Sequence, residues 1–505
     1  MTQTLNDSRP DQRPPSSVTS TESLDRILAR GVAWTAAAKW SSQVLTWVST
    51  IIIARLLAPS DFGLVGMAAI YLGLVTLVSE FGVGTTVLTL RELTGVQIAQ
   101  LNSISLLVGI ASFSISCAIA VPLGHFFRNP RLPAVVIVMS TTFIILAFRS
   151  VPYGLLQKEM RFKLLSALET GQSLTQAVVT LLLAALGLGY WSLVLGNVLG
   201  TAWLSGSTAI CKRHGFARPR FESIEKALHF TWQILVSRLC WYGFSNADFL
   251  VAGRVLGASP LGEYTFAWNL ATSPVEKVTG VVVRVTPTFF AAVKDQESAL
   301  RRYLRVLTEG LCILTFPATF GLALVAPEFV PLALGKKWME AIVPLQLLSF
   351  YGSFRALVTL LPQVLIVVGE TRFPMLNGIA ALFVMPTAFY IASRWGTTGI
   401  AAAWITTYPF VVIPLYWRTL SRINLSWGEY LRGVLPPLNA SIAMAIVVGL
   451  LRWTMPLTWP LYLRFASEVL AGGGAYIFVM TVFYGSRLRA LWAVSTSLLE
   501  KVNRD

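Results

Sequence analysis

Fourteen times along this chain an apolar run recurs that is long enough to cross the hydrocarbon of a bilayer as a helix, which takes about 20 residues. The runs lie near 31–54, 62–84, 101–122, 133–152, 165–186 and 189–211. After a gap they resume near 228–252, 262–283, 305–326, 342–367, 373–393, 397–417, 433–452 and 460–484. A backbone in lipid must satisfy its own N–H and C=O groups, and a helix does so within one segment. Composition agrees: 55% of the 505 residues are apolar or aromatic and only 13% are charged, where a soluble chain carries about 25%. The fold class expected is an all-α polytopic membrane protein with about 14 transmembrane helices.

The spacing of the runs divides the chain. Residues 1–25, rich in Ser, Thr and Pro, cannot bury a core and read as a disordered cytoplasmic tail. The first apolar run is itself long enough to span, so no cleaved signal peptide is expected. An N-terminal six-helix bundle over 26–211 is followed by a basic cytoplasmic linker over 212–227 and a C-terminal six-helix bundle over 228–420. Two additional C-terminal helices occupy 421–485, and 486–505 form a cytoplasmic tail. Proline interrupts many spans, among them Pro152, Pro274, Pro317, Pro362, Pro386 and Pro409, and removes a backbone donor wherever it does.

The charges are lopsided, 40 Lys plus Arg against 24 Asp plus Glu, for a net +16. No basic run interleaves with aromatics as a single-stranded nucleic-acid site would, so nucleic acid is excluded as a partner. Basic residues instead collect in cytoplasmic loops, where they set topology and meet anionic inner-leaflet lipid. With both termini inside, cytoplasmic segments hold roughly 26 of them and outside segments roughly 9.

The two six-span groups are related. Displacing the chain by 199 residues lays the first span on the seventh, and Arg55 meets Arg254, Leu57 meets Leu256, Ser60 meets Ser259 and Gly63 meets Gly262. Lys39 meets Arg238, and a weaker echo pairs Phe148 and Arg149 with Phe354 and Arg355. Two homologous bundles related by an axis along the membrane normal are a recurring transporter plan.

Ionisable groups at membrane depth are costly and mark a pathway or a site by default. The cations are Lys39, Arg149, Arg238, Lys277 and Arg355, from both halves and all toward the cytoplasmic side. They point to a cationic interior that would hold a multiply charged anion such as a diphosphate. The acids Glu80, Glu169, Asp248 and Glu276 are candidates for ion coupling or for structural pairing. The four cysteines form no CxxC, and the three histidines lie far apart, so neither a metal site nor a cofactor is expected beyond coupling to H+ or Na+. No P-loop, GxSxG or HExxH occurs, and no loop offers room for a soluble catalytic domain, so the chain is not expected to be an enzyme.

Three segments carry a resemblance. Residues 53–63, reading IARLLAPSDFG, together with 152–163, PYGLLQKEMRFK, and 246–257, NADFLVAGRVLG, are similar to segments of the WzxC-like branch of Wzx polysaccharide flippases. These belong to the multidrug/oligosaccharidyl-lipid/polysaccharide exporter superfamily. Members of that branch often place a basic residue directly after the proline at 152, where this chain has Tyr153. The resemblance implies two six-helix bundles plus two extra helices. It also implies a polyprenyl-diphosphate-linked oligosaccharide as substrate, flipped from the cytoplasmic to the periplasmic leaflet of the bacterial inner membrane. The pathway served would be exopolysaccharide, capsule or O-antigen biosynthesis, with a polysaccharide polymerase and chain-length or export proteins as partners. The alternatives are a peptidoglycan lipid-precursor flippase, a cation-coupled drug exporter of the same superfamily and a membrane polysaccharide polymerase or ligase.

Overall fold

A computed structural model describes residues 46–79, 94–159, 161–213, 215–218, 238–294, 296–456 and 458–502. Each of the fourteen apolar runs carries helix where it is described, so the helices are numbered by run. The first bundle comprises α1 (Thr46–Leu56), α2 (Pro59–Ser79), α3 (Gly95–Phe126), α4 (Leu132–Lys158), α5 (Phe162–Ala185) and α6 (Tyr190–Cys211). The second comprises α7 (238–256), α8 (Ala258–Ala292), α9 (Glu297–Ala333), α10 (Ile342–Val358 and Leu361–Val367), α11 (Arg372–Ala392) and α12 (Gly396–Thr406 and Tyr408–Arg422). The final pair is α13 (Trp427–Thr454) and α14 (Leu461–Val502). Among the described residues nine helical stretches are long and apolar enough to cross a bilayer unaided. The chain is a multi-pass, all-α membrane protein. Lys39 and Glu80 lie outside the described residues.

Four helices differ from the continuous spans expected. α10 breaks at Thr359–Leu360 and α12 at Thr407, each just before a proline, Pro362 and Pro409, whose missing N–H ends the helical ladder. α14 runs past 485 to Val502, with non-helical backbone only at Tyr484. α7 is interrupted by a turn at Asn246, and its last five residues, Ala252–Leu256, form a π-helical turn. Gly257, at φ +94°, then reverses the chain into α8, a conformation that favours glycine.

Small residues set the helix packing, as they do where lipid removes the hydrophobic drive between helices. A methyl group on Gly196 or Gly200 of α6 would run into Thr180 and Gln176 of α5, and one on Gly109 of α3 would meet the Phe143 carbonyl of α4. The tightest approach joins the bundles. A methyl group on Gly63 of α2 would overlap the Ala258 carbonyl of α8, and one on Gly262 of α8 would overlap the Pro59 carbonyl of α2. Both residue pairs, 59 with 258 and 63 with 262, are separated by the 199-residue repeat offset. The contact is therefore self-complementary, as a two-fold axis requires.

The same end of the molecule carries a second inter-bundle joint. Helix ends leave carbonyls without partners, and here cations from opposite bundles cap each other's. Arg55, at the end of α1, donates from Nε to the Ala333 carbonyl at 2.6 Å and from Nη2 to that of Leu332, at the end of α9. Lys337 donates in return to the carbonyls of Arg55, at 2.8 Å, and Leu57. Trp338, fully buried, donates its indole N–H to the Ala54 carbonyl at 2.9 Å. Its ring packs on Phe62 of α2 and Phe266 of α8, at centroid separations of 5.3 and 4.7 Å.

Gly63→Ala and Gly262→Ala are each expected to lower the thermal stability of the detergent-solubilised protein sharply. Gly310→Ala, where a methyl group meets nothing within 4 Å, should be neutral or stabilising by up to about 1 kcal/mol from helix propensity. Melting the three variants side by side checks this.

Candidate functional site

At the end remote from that joint, the first bundle and the start of α7 enclose a cavity of about 800 Å³. Its location follows from chain direction. α4 leaves the joint end at Leu132 and presents Arg149, Tyr153 and Gln157 from its far half, and α7 presents Arg238 and Tyr242 before reaching the joint at Gly257. Steps of four residues keep each set on one helix face. Glu169 and Gln172, three residues apart on α5, complete the polar wall.

The wall is internally braced. The Arg149 guanidinium lies 5.3 Å from the centroid of the Tyr153 ring, a cation–π contact. The Tyr153 hydroxyl donates to Glu169 Oε1 at 2.6 Å. Tyr242 donates to the Ile70 carbonyl of α2 at 2.8 Å, and its hydroxyl sits where a side chain at Gly73 would go. Of the nine ionisable residues singled out in the sequence, the structure brings Arg149, Arg238 and Glu169 to this one cavity.

Three others are placed apart, and Lys277, Arg355 and Glu276 are not among the residues lining it. Arg355 Nη2 pairs with Glu276 Oε1 at 3.1 Å, joining α10 to α8, and Lys277 is exposed beside that pair. The echo between Arg149 and Arg355 extends to their neighbours: Phe148 is 42% exposed and Phe354 45%, so both phenylalanines face outward while both arginines are half-buried.

Asp248 is wholly buried, in the first helical turn after Asn246. Its Oδ2 accepts from the Tyr264 hydroxyl at 2.7 Å and from the Trp404 indole at 3.0 Å, and its Oδ1 from the Phe249 amide at 2.9 Å. Around it Phe249, Trp268, Tyr351 and Phe389 complete an aromatic core that joins α7, α8, α10, α11 and α12. Among the described residues no cluster of three His, Cys, Asp or Glu is placed to hold a metal.

A second hollow, about 690 Å³ and almost wholly apolar, runs between α1, α8, α9, α13 and α14. Trp47, Ile51, Leu270, Leu322, Met444 and Ile477 are on its wall, and Glu468 marks one end. That carboxylate is neutralised by a network unmarked in the sequence reading. Arg452 of α13 grips Glu468 of α14 with two hydrogen bonds, at 2.7 and 2.9 Å, and reaches Glu328 and the Leu324 carbonyl of α9. Arg464 meets the other oxygen of Glu328 at 3.2 Å. Two buried acids and two arginines cancel in charge. Glu468 lies inside the apolar run 460–484, so the depth rule that picked out Glu169 would have found it, whereas Glu328 falls just past the run at 305–326 and is brought in only because the helix continues to Ala333. Tyr153, Gln157 and Gln172 carry no charge and escape the depth rule. Gln157 and Gln172 were not singled out in the sequence, and the four-residue step from Arg149 through Tyr153 to Gln157 is the signal that could have found Gln157.

Two six-helix bundles meeting at a pseudo-two-fold joint, a polar cavity at the opposite end and an appended helix pair define a transporter-type membrane fold. Residues 52–343, more than half of the chain, match the family model described as Polysaccharide biosynthesis protein, and the chain belongs to that family. It is similar to the lipopolysaccharide biosynthesis protein WzxC of Escherichia coli K12, at 25% identity over 444 residues, covering 84% of this chain and 89% of WzxC. It is also similar to the teichuronic acid biosynthesis protein TuaB of Bacillus subtilis, at 24% identity over 472 residues and 92% and 97% of the two chains. Among solved structures, the fold matches the lipid II flippase MurJ in its inward closed conformation, with a TM-score of 0.73, 13% identity, and coverage of 90% of this chain and 100% of MurJ. An inward-facing MATE family multidrug resistance transporter of the MOP superfamily matches with a TM-score of 0.60 at 16% identity, over 76% of this chain and 94% of its own.

Removing Arg452 strands the buried Glu468 carboxylate and leaves Glu328 with Arg464 alone, a change that typically costs about 3–5 kcal/mol. Arg452→Met is therefore expected to lower thermal stability strongly, and adding Glu328→Gln and Glu468→Gln should recover much of the loss. Melting curves of the single and triple variants test this.

Proposed function

We propose that this protein flips polyprenyl-diphosphate-linked oligosaccharide repeat units from the cytoplasmic to the outer leaflet of the bacterial inner membrane, for the assembly of a surface polysaccharide. The observation that carries the reading is the cavity that Arg149 and Arg238 both line. Guanidinium groups bind phosphate oxygens through several donors at once, and a cavity of that size admits a sugar beside them. The relatives WzxC and TuaB, named for lipopolysaccharide and teichuronic acid biosynthesis, support the substrate class. The apolar hollow beside α1 offers the polyprenyl chain a place outside the polar path.

In this reading the cavity faces the cytoplasm, where the basic linker lies, and the α1–α9 joint with the α2–α8 crossing closes the outer side. Rocking of the bundles opens one end as the other shuts, the usual basis of alternating access. No chemical step on the substrate is required, so the protein acts as a transporter and not as an enzyme. Gradient coupling, by H+ or Na+, falls to Glu169, Asp248, Glu276 and Glu80, and Lys39, Lys277 and Arg355 extend the cationic path. A polymerase and chain-length or export proteins would take up the product, and anionic inner-leaflet lipid would hold the basic loops.

In a flippase-null strain supplied with the matching glycan pathway, the wild type is expected to restore surface polysaccharide. Arg149→Ala and Arg238→Ala, expressed at equal levels, should accumulate lipid-linked repeat units and lower export at least tenfold. Normal export by both would remove the arginines from the transport path. For orientation, Phe216→Cys in a cysteine-free background should react with an impermeant thiol reagent only after permeabilisation, and Met339→Cys should react in intact spheroplasts. The reverse pattern would overturn the topology.

A further inference from the structure

The cavity wall divides by chemistry. Two helices each bring an arginine followed four residues later by a tyrosine, Arg149 with Tyr153 on α4 and Arg238 with Tyr242 on α7. Charge suits the diphosphate and is indifferent to the sugar behind it. The remaining polar groups, Gln157, Gln172 and Glu169, are of another kind. An amide offers a donor and an acceptor at fixed separation, and a carboxylate offers acceptors alone. Such groups pair with the hydroxyls of a pyranose and add little to holding a phosphate.

Their placement follows from the Tyr153–Glu169 hydrogen bond, which sets the register between the antiparallel helices α4 and α5. One turn from Glu169, Gln172 is level with Arg149. One turn from Tyr153 in the other direction, Gln157 lies toward the cavity mouth. Arg149 and Gln157, eight residues apart, are separated by about 12 Å along α4, enough for a diphosphate followed by one sugar ring. Gln172 is fixed because α5 cannot shift on α6: Gly200 leaves no gap against the Gln172 carbonyl and Gln176. Glu169 is fixed by Tyr153, and Tyr242 is pinned by its bond to Ile70 and presents a stationary ring on the opposite wall.

We infer that Gln157, Gln172 and Glu169, the last held in place by Tyr153, select the sugar joined directly to the diphosphate and favour a neutral pyranose over a uronic acid. The inference rests on the flippase reading above. Glu169 supplies the discrimination by repulsion, since a second carboxylate beside it meets like charge in a site of reduced dielectric.

The test uses full-length protein in nanodiscs and three probes: undecaprenyl diphosphate, the same lipid bearing one glucose, and the same lipid bearing one glucuronate. The wild type should bind the glucosyl lipid tightest. Gln157→Ala and Gln172→Ala should each weaken the glucosyl lipid by roughly five- to tenfold, as loss of one or two hydrogen bonds does, and leave the bare diphosphate unchanged. Glu169→Gln should raise affinity for the glucuronyl lipid alone. Tyr153→Phe, which keeps the ring under Arg149 but releases Glu169, should erode the sugar preference without weakening the bare lipid. Equal losses on all three probes, or no change on any, would overturn the inference. Arg149→Ala and Arg238→Ala separate it from the reading beneath: if neither weakens the bare diphosphate, it is the diphosphate site that fails.

Discussion

The structure depends on one backbone-to-backbone crossing. Where α2 meets α8, Gly63 and Gly262 let each helix rest on the other's main-chain carbonyl, with no side chain between them. In lipid, apolar side chains gain little by leaving one hydrocarbon environment for another, so close main-chain approach and dispersion contacts must supply the association. The crossing sets where the pseudo-two-fold axis passes. Once α2 and α8 are fixed on it, the helices bonded to each of them fall into two related bundles. The cavity is then the space left at the end where the bundles diverge.

Around that axis the chemistry is less symmetric than the backbone. Arg55 and its repeat mate Arg254 both reach the far end of a helix in a third-span position, α9 for one and α3 for the other. Arg55 finds two free carbonyls there and is answered by Lys337 and Trp338. Arg254 instead lies 5.3 Å from the centroid of the Phe126 ring, and its Nη1 is buried with no hydrogen-bond partner among the described residues. Duplication carried the arginine to both places, and the partners then diverged.

How far the sequence could be read depended on what kind of residue did the work. Fourteen helices were visible because each needs about twenty apolar residues whatever its neighbours are. The repeat was visible in arginine and glycine matches, residues costly or conspicuous in lipid. The breaks at Thr359–Leu360 and Thr407 were not, because proline bends one helix and ends another according to how its surroundings satisfy the freed carbonyl. Within the candidate site, Arg149, Arg238 and Glu169 stood out by charge. Tyr153 drew notice only as a substitution for a basic residue, and the structure gives it a part between Arg149 and Glu169. The α1–α9 joint stayed hidden because Lys337 counts in sequence as one more loop charge, and only the fold shows that it faces a helix end.

The unequal flanks of the axis bear on motion. Separating the bundles at the joint end must break five hydrogen bonds between α1 and the α9–α10 region on one flank. On the other flank the contacts among the described residues are ring packings, Arg254 on Phe126 and the Phe127 ring against Gly253. A body held firmly along one edge and loosely along the other does not part evenly. It peels from the weak edge toward the strong one, so the gap begins as a wedge beside α3 and α7. The α1–α9 edge is the spine on which it turns.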